Sequence, residues 1–263
     1  MRSFSVLIAG YGHVGHSVHR LFPQAAIHDP LKGMKASLEQ VYDVCLICVP
    51  THASSTGEAD ISAVHDVLSK VQANVFILVS TVPPGTTDQL CREYSVDIVF
   101  QPEYTGETVQ HPFANKVSQG FIVFGGAEGP RGRAVELYQT VYNAATRFYL
   151  CSALEAELIK YMENCYFAVK VTFCNTFYEV CRAFGVDYNC VREGVLMDPR
   201  VTPWHTFVYP SERGFGGKCL PKDVSALIAA SRAAGYEPKL LQAVQEINRE
   251  FRRDSLGSEQ EYG

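Results

Sequence analysis

Residues 4–15 read Phe4-Ser5-Val6-Leu7-Ile8-Ala9-Gly10-Tyr11-Gly12-His13-Val14-Gly15. The run Phe4–Ala9 is short and continuously apolar, which predicts a buried strand. It leads directly into a Gly-x-Gly-x-x-Gly spacing and then into the helix-like run His16–Leu21. Strand, three glycines and helix in that order are the context in which this spacing holds a dinucleotide. The first two glycines allow a tight turn and close backbone approach to a pyrophosphate. The third lets the helix pack on the strand. Ala25–His28 reads as the second strand and ends at Asp29, 19 residues after Gly10. A carboxylate there accepts hydrogen bonds from an adenosine ribose, and no arginine follows it, so NAD is expected over NADP.

The alternation continues outward from this unit. Asp43–Val49 reads as a third buried strand, closed by Pro50-Thr51, and Ile61–Val71 as an amphipathic helix. Val75–Val79 is a fourth strand and runs into Ser80-Thr81-Val82-Pro83-Pro84-Gly85-Thr86. Ile98–Phe100 is a fifth, followed by Gln101-Pro102-Glu103-Tyr104-Thr105-Gly106-Glu107. Gly120–Phe124 is a sixth strand and Gly129–Tyr142 a helix. Strands alternating with helices predict an α/β fold with a doubly wound parallel sheet through about residue 150. Ligands of such sheets bind at the carboxyl ends of the strands, so Pro50, Thr51, Ser80 and Thr81 fall on the binding edge. Ordinary turn chemistry accounts for the same residues equally well. Glu103 and Glu107, four apart in a loop at that edge, suit general-base work or simple solvation.

From Ser152 the pattern changes. No proline or glycine occurs up to Phe184, and Gly185 is a stop signal, so one helix of about 30 residues and about 45 Å is expected. Its apolar residues cover nearly all of its surface, which predicts burial against a second domain and a second subunit. Glu157, Lys160 and Asn164 share one face. A bound substrate or a salt-bridged stripe would each satisfy them. A short helix follows at Asp187–Leu196, then an irregular stretch with the only tryptophan, Trp204. Next comes Gly214-Phe215-Gly216-Gly217-Lys218-Cys219-Leu220-Pro221-Lys222-Asp223, and helices at Val224–Ala234 and Lys239–Arg253. Cys219 is placed at or just before a helix start, where the positive end of the dipole favours a thiolate. A Gly-rich turn with a buried cysteine is the plainer alternative. The expected organisation is a nucleotide-binding domain over 1–150, a helical dimerisation and substrate domain over 151–254, and a structureless tail over 255–263.

Composition narrows the functional classes. The 263 residues are 47% hydrophobic and 19% charged, ordinary for a globular chain with a sizeable core. A net charge of -5 disfavours non-specific nucleic-acid binding. No run is long enough to span a membrane. Nine cysteines without disulfide-like spacing, and no leader segment, point to a reduced, cytoplasmic protein. Cys45 and Cys48 form a Cys-x-x-Cys inside an apolar run. A strand would point them to opposite faces, so both are read as core.

Taken together, GYGHVG with Asp29, Val49-Pro50-Thr51, Ser80–Thr86, Pro102-Glu103-Tyr104 with Glu107, Ala156–Asn164, Asp198-Pro199-Arg200-Val201 and Gly214–Asp223 resemble the UDP-glucose/GDP-mannose 6-dehydrogenase family, in that family's order. The resemblance implies oxidation of a nucleotide-sugar C6 alcohol, UDP-glucose first among them, to the uronic acid in two NAD-dependent steps. It makes Cys219 the nucleophile and sets Lys160 and Asn164 to stabilise the alkoxide. Glu103, Thr81 and Asp223 would handle the hydrolytic water. It places NAD on Gly10, Gly12, His13, Val14, Gly15, Asp29, Val49, Pro50, Thr51, Ser80, Thr81 and Glu107. The sugar nucleotide falls to Glu103, Tyr104, Lys160, Asn164, Arg200, Arg213 and Gly216, with Arg200 reaching across a homodimer built on the long helix. No metal is implied. His52, Thr105 and Thr108 depart from the family's usual residues, and members are longer by a C-terminal nucleotide-binding domain. A single-step hydroxyacid dehydrogenase and a non-catalytic NAD-binding subunit remain open. Neither needs Cys219.

Overall fold

The computed structural model describes residues 4–52, 59–104, 119–217 and 219–257. The chain forms two compact units, Met1–Lys160 and Tyr161–Gly263. The boundary lies about ten residues beyond the expected one at 150. The first turns of the long helix belong to the sheet's core, where Ala156 is fully buried.

In the first unit the strands are β1 (Val6–Ala9), β2 (Ala26–Asp29), β3 (Met34–Lys35), β4 (Val41–Ile47), β5 (Gln72–Leu78), β6 (Ile98–Phe100), β7 (Phe121–Gly125) and β8 (Arg147–Cys151). They form one sheet in the order β3-β2-β1-β4-β5-β6-β7-β8. Pairing is parallel except at β2–β3 and β6–β7. The helices are α1 (His13–Leu21), α2 (Ser62–Lys70), α3 (Thr86–Tyr94) and α4 (Glu128–Tyr138).

Each central strand sends alternate residues into two separate cores. Val6, Ile8, Val44, Leu46, Val75 and Ile77 pack with α1 and α4. Leu7, Ala9, Cys45, Ile47, Phe76 and Leu78 pack with α2 and α3. Helices cover both faces, which is why the strands read as unbroken apolar runs. Cys45 and Cys48 fall in opposite cores, as the strand periodicity required. Strand order reverses at β1, where β2 lies to one side and β4 to the other, and the ligand crevice of such sheets opens there.

The long helix is α5 (Ala153–Ala183), of 31 residues. In the second unit it is followed by α6 (Tyr188–Val195), α7 (Leu220–Ala233) and α8 (Lys239–Gly257). Helix α7 starts four residues earlier than expected, at Leu220. Helix α8 runs to Gly257, so residues 255–257 are helical rather than part of a tail. A small core of Cys165, Ala168, Phe215, Val224, Ile228 and Val244 joins α5, α7 and α8. The sequence expectation of an α5 buried all round is not met within this chain. Met162 and Phe173 are 76% and 61% exposed, and Tyr166 and Phe177 are exposed with them.

Candidate active-site elements

The glycine loop between β1 and α1 has the geometry its sequence predicts. Gly10 has φ of +90°, and its N–H donates to His28 C=O at 2.9 Å. A Cβ there would lie 2.7 Å from Cys48 O. A Cβ on Gly15 would lie 2.1 Å from Gly10 O, so only glycine lets α1 close on the turn. Gly12 has open space where its side chain would be. Gly12 and His13 are exposed at the helix N-terminus and Val14 is half-buried. An uncovered helix start with its N–H groups outward is a cradle for a pyrophosphate.

Asp29 closes β2 and accepts from Tyr11 N–H at 2.9 Å, which ties the acid to the loop. Lys32 donates to Tyr11 C=O at 2.5 Å. The expectation of NAD over NADP rests on the absence of an arginine after Asp29 and does not include this cation. Its signal was a lysine three residues beyond the acid.

At the carboxyl ends of β4 and β5 two loops are stitched by their own hydroxyls. Thr51 Oγ1 donates to Thr81 C=O at 2.7 Å, and Ser80 Oγ to Val49 C=O at 2.7 Å. Pro50 is exposed between them and Thr81 is half-buried. These hydroxyls therefore shape the edge through turn chemistry, and the backbone they hold lines it. Glu103 and Tyr104 follow β6 and are both buried. Glu103 Oε1 accepts from Tyr104 N–H at 3.0 Å. Burial, and then the charge of Glu103, push the Tyr142 hydroxyl above its ordinary value. The buried Lys160 ammonium stands 5.3 Å from the Tyr104 ring centre. Glu157 is claimed by the fold: its carboxylate accepts from Gly85 N–H and from the N–H and hydroxyl of Thr87. Glu107 lies outside the described residues, as do Thr105 and Thr108.

The remaining residues belong to the second unit. Cys219 is exposed and is the residue capping the start of α7. Burial pushes the thiols of Cys45, Cys91 and Cys151 up, and that of Cys165 to about 12, with the charge of Asp223 adding to it. A raised thiol pKa leaves these cysteines inert. One turn into α7, the buried Asp223 accepts from Asn164 Nδ2 at 2.5 Å and from Lys222 Nζ at 2.6 Å. Asn164, which the sequence placed on the long helix, and Asp223, which it placed just before a later one, are thus brought into direct contact.

Arg200 is exposed and held to Asp198 through Nε and a terminal nitrogen. Arg213, expected on the substrate, is buried within the second unit. The residue is 6% exposed, and its guanidinium donates to Asn175 Oδ1 at 2.7 Å, Asn175 C=O at 3.1 Å and Glu179 at 2.5 Å. It also lies over the Tyr178 and Phe251 rings. These partners come from α5 and α8, elements that local spacing does not connect to Arg213. Gly216 is half-buried, and a Cβ there would lie 3.3 Å from the Arg252 guanidinium. Lys218 lies outside the described residues. Sequence reasoning missed Asn175 and Asn248, two buried amides that bond the Gly214–Phe215 backbone. Neither carries a local signal. Among the described residues no helix is long and apolar enough to cross a membrane, and no cluster of metal-ligating side chains occurs.

Residues 31–145 match the NAD binding domain of the UDP-glucose/GDP-mannose dehydrogenase family, and residues 154–250 match its central domain. The UDP-glucose 6-dehydrogenase TuaD of Bacillus subtilis is 32% identical over 225 residues, 80% of this chain and 47% of that protein. The chain spans about half the length of the curated relatives it matches. A UDP-glucose dehydrogenase from Pyrobaculum islandicum has a TM-score of 0.79 at 24% identity, over 94% of this chain and 68% of that one. A 3-hydroxyisobutyrate dehydrogenase from Mycobacterium tuberculosis has a TM-score of 0.74 at 15% identity, over 97% and 95%. At these identities the two structures speak to the fold alone. With two of the family's domains matched in order, its NAD-binding domain among them, the chain belongs to the UDP-glucose/GDP-mannose dehydrogenase family.

Proposed function

We propose that the chain acts in the NAD-dependent oxidation of a nucleotide sugar, UDP-glucose first among the candidates, from the C6 alcohol to the uronic acid. The observation that carries this reading is the exposed Cys219 thiol at the start of α7, with Asp223 anchored one turn away. A hydroxyacid dehydrogenase, which oxidises once, has no use for that thiol. The Gly10–Gly15 loop and Asp29 fit a dinucleotide, and NAD, when bound there, accepts a hydride in each oxidation.

The first oxidation turns the alcohol into an aldehyde and releases a proton. The Cys219 thiolate then adds to the aldehyde carbon, forming a C–S bond and an alkoxide. That tetrahedral carbon gives up its hydride far more readily than the aldehyde does. Its loss restores the C=O as a thioester. Water adds, the C–S bond breaks, and the carboxylic acid leaves with the thiolate regenerated. One alcohol, two NAD and one water become one acid, two NADH and two protons. Lys160 supplies positive charge, and Asn164 a side-chain donor, for the alkoxide. Glu103 is the base for the hydrolytic water, with Thr81 beside the strand end. Asp223 holds Asn164 in place. Arg200 is the cation left at the surface for a neighbouring subunit's substrate, and the exposed apolar face of α5 is the surface on which a second copy docks.

Incubation with NAD and a panel of nucleotide sugars tests the reading. The expected result is two NADH and one uronic acid per sugar, with Cys219→Ala unable to complete the second oxidation. One NADH per sugar at an unchanged rate in Cys219→Ala would establish the single-step chemistry instead.

A further inference from the structure

The stretch 213–215 belongs to no helix and no strand, yet its backbone is paired by side chains. Asn175 on α5 accepts the Gly214 N–H at 3.1 Å through the same Oδ1 that receives Arg213 Nε. Its Nδ2 is spent on Val171 C=O of its own helix. Asn248 on α8 bonds the next residue twice. Its Oδ1 accepts the Phe215 N–H at 2.6 Å, and its Nδ2 donates to Phe215 C=O at 2.9 Å. This is the pair of bonds that a neighbouring antiparallel strand would supply. Asn175 is 2% exposed and Asn248 7%, so water is a poor substitute for either. The Phe215 ring is buried among Ala168, Val224 and Val244. Gly214 has φ of +72°, and a Cβ there would lie 2.4 Å from Asn248 Oδ1. Residue 214 must be glycine for the amide to reach the backbone.

Cys219 comes four residues after Phe215 and opens α7. Its other side is anchored as well, through Asp223 on Asn164 and Lys222. The thiol therefore stands between two hydrogen-bonded fixed points. We propose that Asn175 and Asn248 are positioning residues for the Cys219 thiol, acting through the Gly214–Phe215 backbone and touching neither substrate nor cofactor. The proposal rests on Cys219 being the nucleophile. Stabilisation of a thiolate by a helix start falls off within one turn. A shift of about 1 Å in a reacting group costs on the order of a hundredfold in rate. Two buried amides spent on one short loop suit a thiol that must be held to that tolerance.

Asn248→Ala is compared with the wild type and with Cys219→Ala in two measurements. The first is the pH dependence of Cys219 alkylation by iodoacetamide, without NAD or sugar. Cys190, the other exposed cysteine, is the internal reference. The Cys219 midpoint should rise by about half a unit or more while that of Cys190 stays. The second is NADH formed per sugar consumed, with hydroxylamine present to trap released aldehyde. The ratio should fall from two toward one, because only the second oxidation needs the thiol. Partial unfolding lowers the rate and leaves this ratio alone. Gly214→Ala, which drives a Cβ into Asn248, should reproduce both changes. Asn248→Asp keeps the acceptor for Phe215 N–H and should give smaller ones. It carries the comparison if alkylation of Cys45 and Cys165 shows that Asn248→Ala has unfolded. An unchanged midpoint and a ratio of two in the Asn248 and Gly214 variants overturn the proposal. Failure of the nucleophile reading looks different: Cys219→Ala would then match the wild type in NADH per sugar, at one for single-step chemistry or two for a thiol-independent second oxidation.

Discussion

Glu157 is fully buried on α5 and caps the start of α3, where three donors converge on its carboxylate. A negative charge at a helix start is favourable. Even so, burial outweighs these bonds and raises its pKa above the ordinary 4.5. The folded protein therefore holds this proton more tightly than the unfolded chain. The stability gained from the held proton is full below pH 4.5 and is lost as pH rises through the folded value. Thermal unfolding of the wild type and Glu157→Gln from about pH 4 to about pH 7 should show the wild type losing ground as pH rises. Parallel pH profiles would remove Glu157 from this role. The partner of Glu157 is 70 residues away at Thr87, so its face-sharing with Lys160 and Asn164 gave no clue to its use. Asp29 was legible because its partner, Tyr11, is fixed by the local geometry of one strand-turn-helix unit.

Among the described elements, α5 carries several large exposed apolar side chains. Met162, Tyr166, Phe173 and Phe177 are all exposed on the described chain. Apolar area of this kind suits an interface, and the proposed second copy would bring the same helix onto it under two-fold symmetry. Light scattering at micromolar concentration should show a dimer for the wild type and a monomer for Phe173→Glu combined with Met162→Glu, with helix content retained. A wild-type monomer would refute the docking of a second copy there. The strands were legible where both faces are buried. β3 has only two residues, and β8 exposes Tyr149 and Leu150. β3 is too short to read as a run, and the β8 run Phe148–Cys151 has no glycine or proline turn at either end, so both were missed. Their pairing comes from neighbours already in the sheet, His28 and Asp29 for β3 and Phe121–Gly125 for β8.

At the scale of the whole molecule, dinucleotide binding is linked to stability. A ligand that binds only the folded state at a hundred times its Kd adds about 2.7 kcal/mol. In a chain of this size that raises Tm by about 5–10 °C. Saturating NAD should produce this shift in differential scanning calorimetry, and NADP at the same concentration a smaller one. Asp29→Ala should reduce the NAD shift and narrow the gap between the two cofactors. Equal shifts from NAD and NADP in the wild type would strip Asp29 of its discriminating role.

The doubly wound sheet, the glycine loop, Asp29 and the place of Cys219 before a helix all followed from the sequence. The loop and Asp29 depend on contacts within about twenty residues, and the sheet on a repeated strand-helix alternation, where spacing and periodicity dictate geometry. Tertiary structure alone decided how distant polar groups are spent. It gave Arg213 to Asn175 and Glu179, Glu157 to the start of α3, and Asn164 to Asp223. It also turned Asn175 and Asn248 onto the backbone before Cys219. A buried N–H, carbonyl or charge must find a partner wherever the fold supplies one. Residues far apart along the chain meet only once the helices have packed, and no local pattern records that meeting.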